Sequence, residues 1–358
     1  MTSTTGRSTG GWRRAAVVVA ACALLLQGCA PRYNLRTVQA GVALQWPFQP
    51  RQPKITYVES WTGLSPSRGF GSAVKSFVYG REEHEKNAFV LPVAVATGSD
   101  GRIAVADMGR KCVHLYTSEE RRYLRLTGSE RERNVSPVGV IFDEESTLYV
   151  SDSSGRVMVF GRDGAFLRAL QQAGAERLLR PTGLAYSPRT GLLYVVDTLA
   201  NKVHAFRRDG ALAFSFGQRG EENGSFNFPT HIFWSPTGEL YVTDALNFRI
   251  AIFDESGKPL GSFGRHGDGS GDLALPKGLA VDQDGVVYVV DSVFDNVQLF
   301  DRSGNFLLTV GRRGSQFGEF WLPSGAFISD RGELLVCDTY NRRIQVFRIT
   351  ENYADRTS

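Results

Sequence analysis

Six aspartates, Asp107, Asp152, Asp197, Asp244, Asp291 and Asp338, recur along the chain at steps of 45, 45, 47, 47 and 47 residues. Carboxylates do general acid–base work and hold hard cations, so such a series raises the question of a metal or hydrolytic centre. Their surroundings favour a structural role. Each ends a strand-like apolar run such as Leu148-Tyr-Val-Ser or Leu193-Tyr-Val-Val, and a basic residue follows at Lys202, Arg249 and Arg343, with Arg156 one step earlier in its repeat. A hairpin turn brings such a pair together and gives each carboxylate a local cation and turn amides. Catalysis needs one asymmetric constellation, whereas a group present in every unit reads as scaffold.

The other chemistry-bearing residues are sparse. Of the five histidines (His84, His114, His204, His231 and His266), His114 and His204 occupy equivalent slots and read as packing or surface residues. One histidine, His231, breaks pattern, and a single histidine does not hold zinc. Asp268-Gly-Ser-Gly-Asp272 has the outline of a calcium loop without its closing glutamate. Gly264 to Gly271 is glycine-rich but opens no helix, so it is no dinucleotide fingerprint. No metal or cofactor is expected.

A proline keeps time with the aspartates at Pro92, Pro137, Pro181, Pro229, Pro276 and Pro323. A fixed period in this range marks a solenoid or propeller. Turn dipeptides such as Asp284-Gly285 and Ser303-Gly304 supply the positive φ that two-residue hairpins need. Each repeat therefore reads as four antiparallel strands, the blade of a propeller. The sixth repeat stops after its third strand at Arg348-Ile349, and Lys54 to Trp61 matches the missing outer strand in character. The expected fold is all-β, a six-bladed propeller over 54–350 with a tail at 351–358. Residues near Ile55 to Trp61 should pair antiparallel with Arg343 to Arg348 and close the ring, which removes open sheet edges.

Ahead of the repeats, Arg13-Arg14 precedes twelve apolar residues, Ala15 to Leu26, and then Gln27-Gly28-Cys29. This is a signal peptide over 1–28, and twelve residues are too few to span a bilayer. Leu26-Gln27-Gly28-Cys29 resembles a bacterial lipobox, which implies lipidation at Cys29, a membrane-anchored lipoprotein in the cell envelope. Ala30 gives no aspartate-type retention signal, which leans toward an outer membrane facing the periplasm. Residues 29–53, with Pro31, Pro47, Pro50 and Pro53, read as an extended linker. Removing Arg7, Arg13 and Arg14 with the leader brings the formal charge from +4 to about +1, so no basic field argues for nucleic acid. Cys112 and Cys337 remain in an oxidising compartment; they either bridge the first and last repeats or pack as small apolar residues.

Pro-x-Gly-apolar, then Asp-Gly-x-x-Tyr-Val-x-Asp, then Asn-x-Arg-Ile/Val-x-x-Phe resembles the NHL repeat. Its cleanest copies are Asp244-Ala-Leu-Asn247-Phe-Arg249-Ile250 and Asp338-Thr-Tyr-Asn341-Arg-Arg343-Ile344. The resemblance implies a six-bladed propeller that binds proteins or other macromolecules through one face. It also implies an alternative, a metal-dependent lyase or hydrolase acting at the channel mouth.

Departures from the repeat then guide the site. Two residues after each proline stand Ala94, Gly139, Gly183, His231, Gly278 and Gly325, so His231 intrudes into a ring of small residues. Thr230 and Lys277 belong to a polar arc beside it. In the loops approaching each proline, Phe226/Phe228, Leu273/Leu275 and Phe320/Leu322 share one phase and should be buried, while Trp321 should point outward. With Arg312-Arg313, these residues place binding of a protein, peptide or glycan partner on the face bearing the proline and aspartate loops. The expected function is a membrane-tethered, non-enzymatic scaffold.

Overall fold

A computed structural model of the chain describes residues 31–48, 52, 54–67, 86–127 and 136–350. The leader, Cys29 and the C-terminal tail lie outside the described residues. No described helix is long and apolar enough to cross a membrane.

The repeats form six sheets, each with four antiparallel strands at its core. Blade four is representative. Pro229–Trp234 runs from the proline, Glu239–Asp244 returns to the aspartate, and Arg249–Asp254 and Pro259–Phe263 follow outward. Proline and aspartate meet at one end of the blade, where Pro229 lies opposite Asp244. The six aspartates thus mark one face of the propeller, and the turns between first and second strands mark the other. Burial follows from twisted sheets packing face to face. Phe226 stands 5.3 Å from Phe253 between blades, and the tyrosines and phenylalanines of the second and third strands are buried throughout.

Ring closure matches the sequence expectation. Ile55–Pro66 pairs antiparallel with Arg343–Ile349, with Trp61 opposite Ile344 and Ile55 opposite Ile349. The last blade then meets the first through Ser324 Oγ, 3.1 Å from the Val93 carbonyl, and Thr339 Oγ1, 2.9 Å from that of Pro92.

The segment read as an extended linker differs. Tyr33–Val38 adds a further strand beside Ile55–Pro66, and Gln45–Trp46 pairs with its start. Pro31 and Pro47 lie outside these strands, so they delimit pairing rather than prevent it. Trp46 is buried, with its ring 5.8 Å from that of Phe347. Tyr33 donates its amide to the Arg121 carbonyl at 2.7 Å and sets its ring 5.1 Å from Tyr123. The N-terminal strand therefore clasps the seam between blades six and one.

The approach loops also depart in part from expectation. Phe226, Leu273 and Phe320 are fully buried, but Phe228 and Leu275 are half-buried and Leu322 exposed. Phe228 and Leu322 sit at positive φ, 61° and 46°, which breaks the strand-like alternation and swings the side chain outward. Cys112 and Cys337 are separate free thiols, both buried. Burial pushes the Cys112 thiol up to about 12, as expected of a packing residue.

Candidate functional site

The six aspartates are fully buried, and each holds the loop leading into its own blade. Asp107 accepts from the amides of Val90 and Leu91, Asp197 from Leu179 and Arg180, and Asp291 from Ala274 and Leu275. The paired cations are in place for Asp152 with Arg156 (2.9 Å), Asp244 with Arg249 (2.8 Å) and Asp338 with Arg343 (2.7 Å). Lys202 turns instead to Glu176 at 2.9 Å. Burial raises the carboxyls of Asp244 and Asp338 despite these bonds. Among the described residues, no three of His, Cys, Asp and Glu come together as a metal site.

The face bearing these aspartates exposes apolar side chains at repeating positions. Leu199, Leu246, Val293 and Tyr340 each stand two residues after an aspartate, and all are exposed. Trp321 joins them, 43% exposed, its ring 5.6 Å from that of Tyr340. Arg312 and Arg313 are largely exposed; Arg312 pairs with Glu319 at 3.0 Å, and Arg313 reaches Asp295 at 3.9 Å. Lys277 is open to solvent, yet loss of surrounding water and the nearby Arg180 guanidinium lower its pKa. Its position at the start of an inner strand explains both, since it is open on one side and walled on the others. Arg180 also lies over the Phe228 ring at 5.7 Å. Thr230 buries its hydroxyl without a hydrogen-bond partner.

Behind this face the channel tightens. A Cβ on Gly278 would stand 2.4 Å from the Ser324 carbonyl oxygen, and one on Gly325 would stand 2.5 Å from that of Val93. Glycine is needed here because adjacent inner strands touch. A cavity of about 390 Å³ is lined by the inner strands, Gly325 among them, and by their turns. His231 lies at its inner end. Enclosure among the blades lowers the imidazole to about 4, so it is neutral near pH 7. The structure therefore separates residues that the sequence grouped. Trp321, Arg312, Arg313, Lys277 and Thr230 belong to the aspartate face, while His231 serves a cavity that opens at the opposite end.

With this geometry in view, one repeat can be assigned. Residues 320–347 match the NHL repeat. This NHL segment carries Trp321, Asp338, Tyr340 and Arg343, so it contributes both the anchoring carboxylate and two exposed aromatic rings. No curated protein matches the chain in sequence. Among solved structures, virginiamycin B lyase from Staphylococcus aureus is similar at 12% identity and TM-score 0.55, over 73% of this chain and 96% of that one. A gluconolactonase from Xanthomonas campestris is similar at 17% identity and TM-score 0.57, over 73% and 87%. An auxiliary nutrient binding protein from Bacteroides ovatus is similar at 16% identity and TM-score 0.55, over 74% and 70%. Likeness at these identities is one of fold, shared by enzymes and binding proteins.

Two features of the site went unread in the sequence. One is the exposed apolar residue two after the aspartate in blades three to six. The other is the aromatic residue five after the proline in blades two to four, Phe142, Tyr186 and Trp234, which lines the cavity. Both signals are periodic.

Proposed function

We propose that the protein is a cell-envelope binding scaffold, tethered by lipid at Cys29, that docks a protein partner on its aspartate-turn face. The observation that carries this reading is the recurring exposed apolar set, Leu199, Leu246, Val293, Trp321 and Tyr340. Isolated exposed apolar residues are ordinary, but a repeated set on one face marks an interaction surface. Trp and Arg supply large contact area with directional polar groups, and Arg312, Arg313 and Lys277 flank the set. A peptide or glycan would use the same polar arc, and an outer-membrane position facing the periplasm fits the sequence after Cys29.

The test is photo-crosslinking from position 246 or 293 in envelopes of the producing cell, followed by identification of the captured chain. One defined protein should be captured, and Trp321→Ala with Tyr340→Ala should abolish capture. Leu260→Ala, an exposed residue on an outer strand, should leave it intact. Equal capture by all variants would overturn the assignment of the face. Mass spectrometry of the mature N-terminus should show acylated Cys29. The alternative, a metal-dependent lyase or hydrolase, requires stoichiometric metal in the purified mature protein, which elemental analysis detects.

A further inference from the structure

We propose that the cavity at the end opposite the aspartate turns binds a small cationic amphiphile, an apolar or aromatic body bearing an ammonium-type group. Its volume of about 390 Å³ lies within the range of small-molecule pockets, roughly 300–1,000 Å³. Apolar inner strands line its depth, and Phe142, Tyr186 and Trp234 reach it from three consecutive blades, the first two mostly buried and Trp234 half-buried.

These rings are held from behind. The Arg102 guanidinium lies over the Phe142 ring at 4.8 Å, Arg208 reaches the Tyr186 hydroxyl at 3.3 Å, and the Trp234 indole donates to Glu255 at 2.6 Å. A wall fixed before binding costs little ordering when a ligand enters. At the inner end, neither nitrogen of His231 has a hydrogen-bond partner among the described residues, so the imidazole can meet a polar end of the ligand.

Charge decides the ligand class. Asp143, Glu144, Asp282 and Asp330 all line the outer part of the cavity. Asp143 and Asp282 are fixed by amides of their own turns and by the hydroxyls of Tyr149 and Tyr288. Both are buried, and burial raises the Asp282 carboxyl, so Glu144 and Asp330 are the exposed acids of the lining. Arg208 is shared among Asp143, Glu144 and Glu145, which leaves that side acidic. A cleft with apolar walls and one sign of exposed charge concentrates the opposite ion, and the half-buried Trp234 ring can add cation–π attraction. The cavity opens among the turns between first and second strands, at the opposite end of the inner strands from the docking face.

Three probes of one shape test the proposal: 4-phenylbutylamine, 4-phenylbutanol and 4-phenylbutanoate, each titrated into the purified mature protein by calorimetry. The amine should bind saturably, at least tenfold more tightly than the carboxylate, with the alcohol between them. Charge reversal by Glu144→Lys with Asp330→Lys, both exposed positions, should pass the preference to the carboxylate. Ile328→Trp should block all three probes in a protein that still melts cooperatively. No saturable binding up to about 10 mM, equal binding of the three, or a preference unmoved by charge reversal would each overturn the site. Trp321→Ala should not change any of these affinities, so failure of the docking face and failure of this cavity can be told apart.

Discussion

The two ends of the channel are built from the same six inner strands yet offer opposite surfaces. At the aspartate end the strands touch, the carboxylates are buried on backbone amides, and the outward turns carry Leu246, Val293, Trp321 and Tyr340. At the other end the strands diverge around aromatic rings, and carboxylates line the opening. The difference comes from how each end uses its acids. Where a carboxylate is consumed in holding a loop, the surface chemistry passes to whatever follows it in the turn. At the other end Asp143 and Asp282 also hold their own turns, and the exposed Glu144 and Asp330 set the field at the opening. Under the readings proposed above, one end would receive a broad protein partner and the other a small ligand that enters.

Both ends exist only if the ring is closed, so the most damaging change removes the closure. A chain starting at Ser65 lacks most of Ile55–Pro66 and leaves the outer edge of Arg343–Ile349 unpaired. It should lose more than about 4 kcal/mol or fail to unfold cooperatively, as read by chemical denaturation. Melting like the mature protein would refute the closed ring.

The tight end should be far less tolerant than the wide one. Gly278→Val forces a side chain against the Ser324 carbonyl oxygen and should cost about 3 kcal/mol. Ile328→Phe faces the open cavity and should cost under about 1 kcal/mol by the same measurement. Equal costs would remove the contrast between the ends.

His231 sharpens the comparison through pH. Enclosure depresses its folded pKa from the ordinary 6.5 to about 4. The unfolded chain therefore takes up a proton that the folded chain refuses, and stability falls as pH drops from 6.5 toward 4. A tenfold difference in proton affinity between the two states is worth about 1.4 kcal/mol. Contact with the channel space reduces this, so His231→Leu should recover on the order of 1 to 2 kcal/mol at pH 4.5 relative to pH 7. An unchanged pH profile would place the ring outside the enclosure. The smallest effect belongs to Trp321→Ala, which should stay within about 0.5 kcal/mol in stability. A larger loss would make Trp321 part of the packing between blades.

The architecture was legible because its signals are local and repeated. Proline, aspartate and turn glycine recur at fixed offsets, and the missing sixth outer strand exposed the closure. The cavity was not read because it is assembled by ring closure from six segments distant in sequence. Phe142, Tyr186 and Trp234 look like ordinary strand residues until their strands are arranged about one axis. His231 stands out in the sequence as a break in the repeat, but nothing local shows toward which end the space beside it opens. The N-terminal segment was misread because its prolines outweighed the alternating run Tyr33-Asn-Leu-Arg-Thr-Val38 between them.

That N-terminal strand limits how the molecule can stand. Tyr33 follows Cys29 by four positions, and a fully extended chain spans at most about 3.6 Å per residue. A lipid on Cys29 would therefore hold the body on a leash of about 14 Å, attached at the seam of blades six and one on the outer rim. With such an anchor, so short a leash from the circumference would set the propeller on its edge, like a wheel against a floor, with its axle along the bilayer and neither hub pressed against lipid.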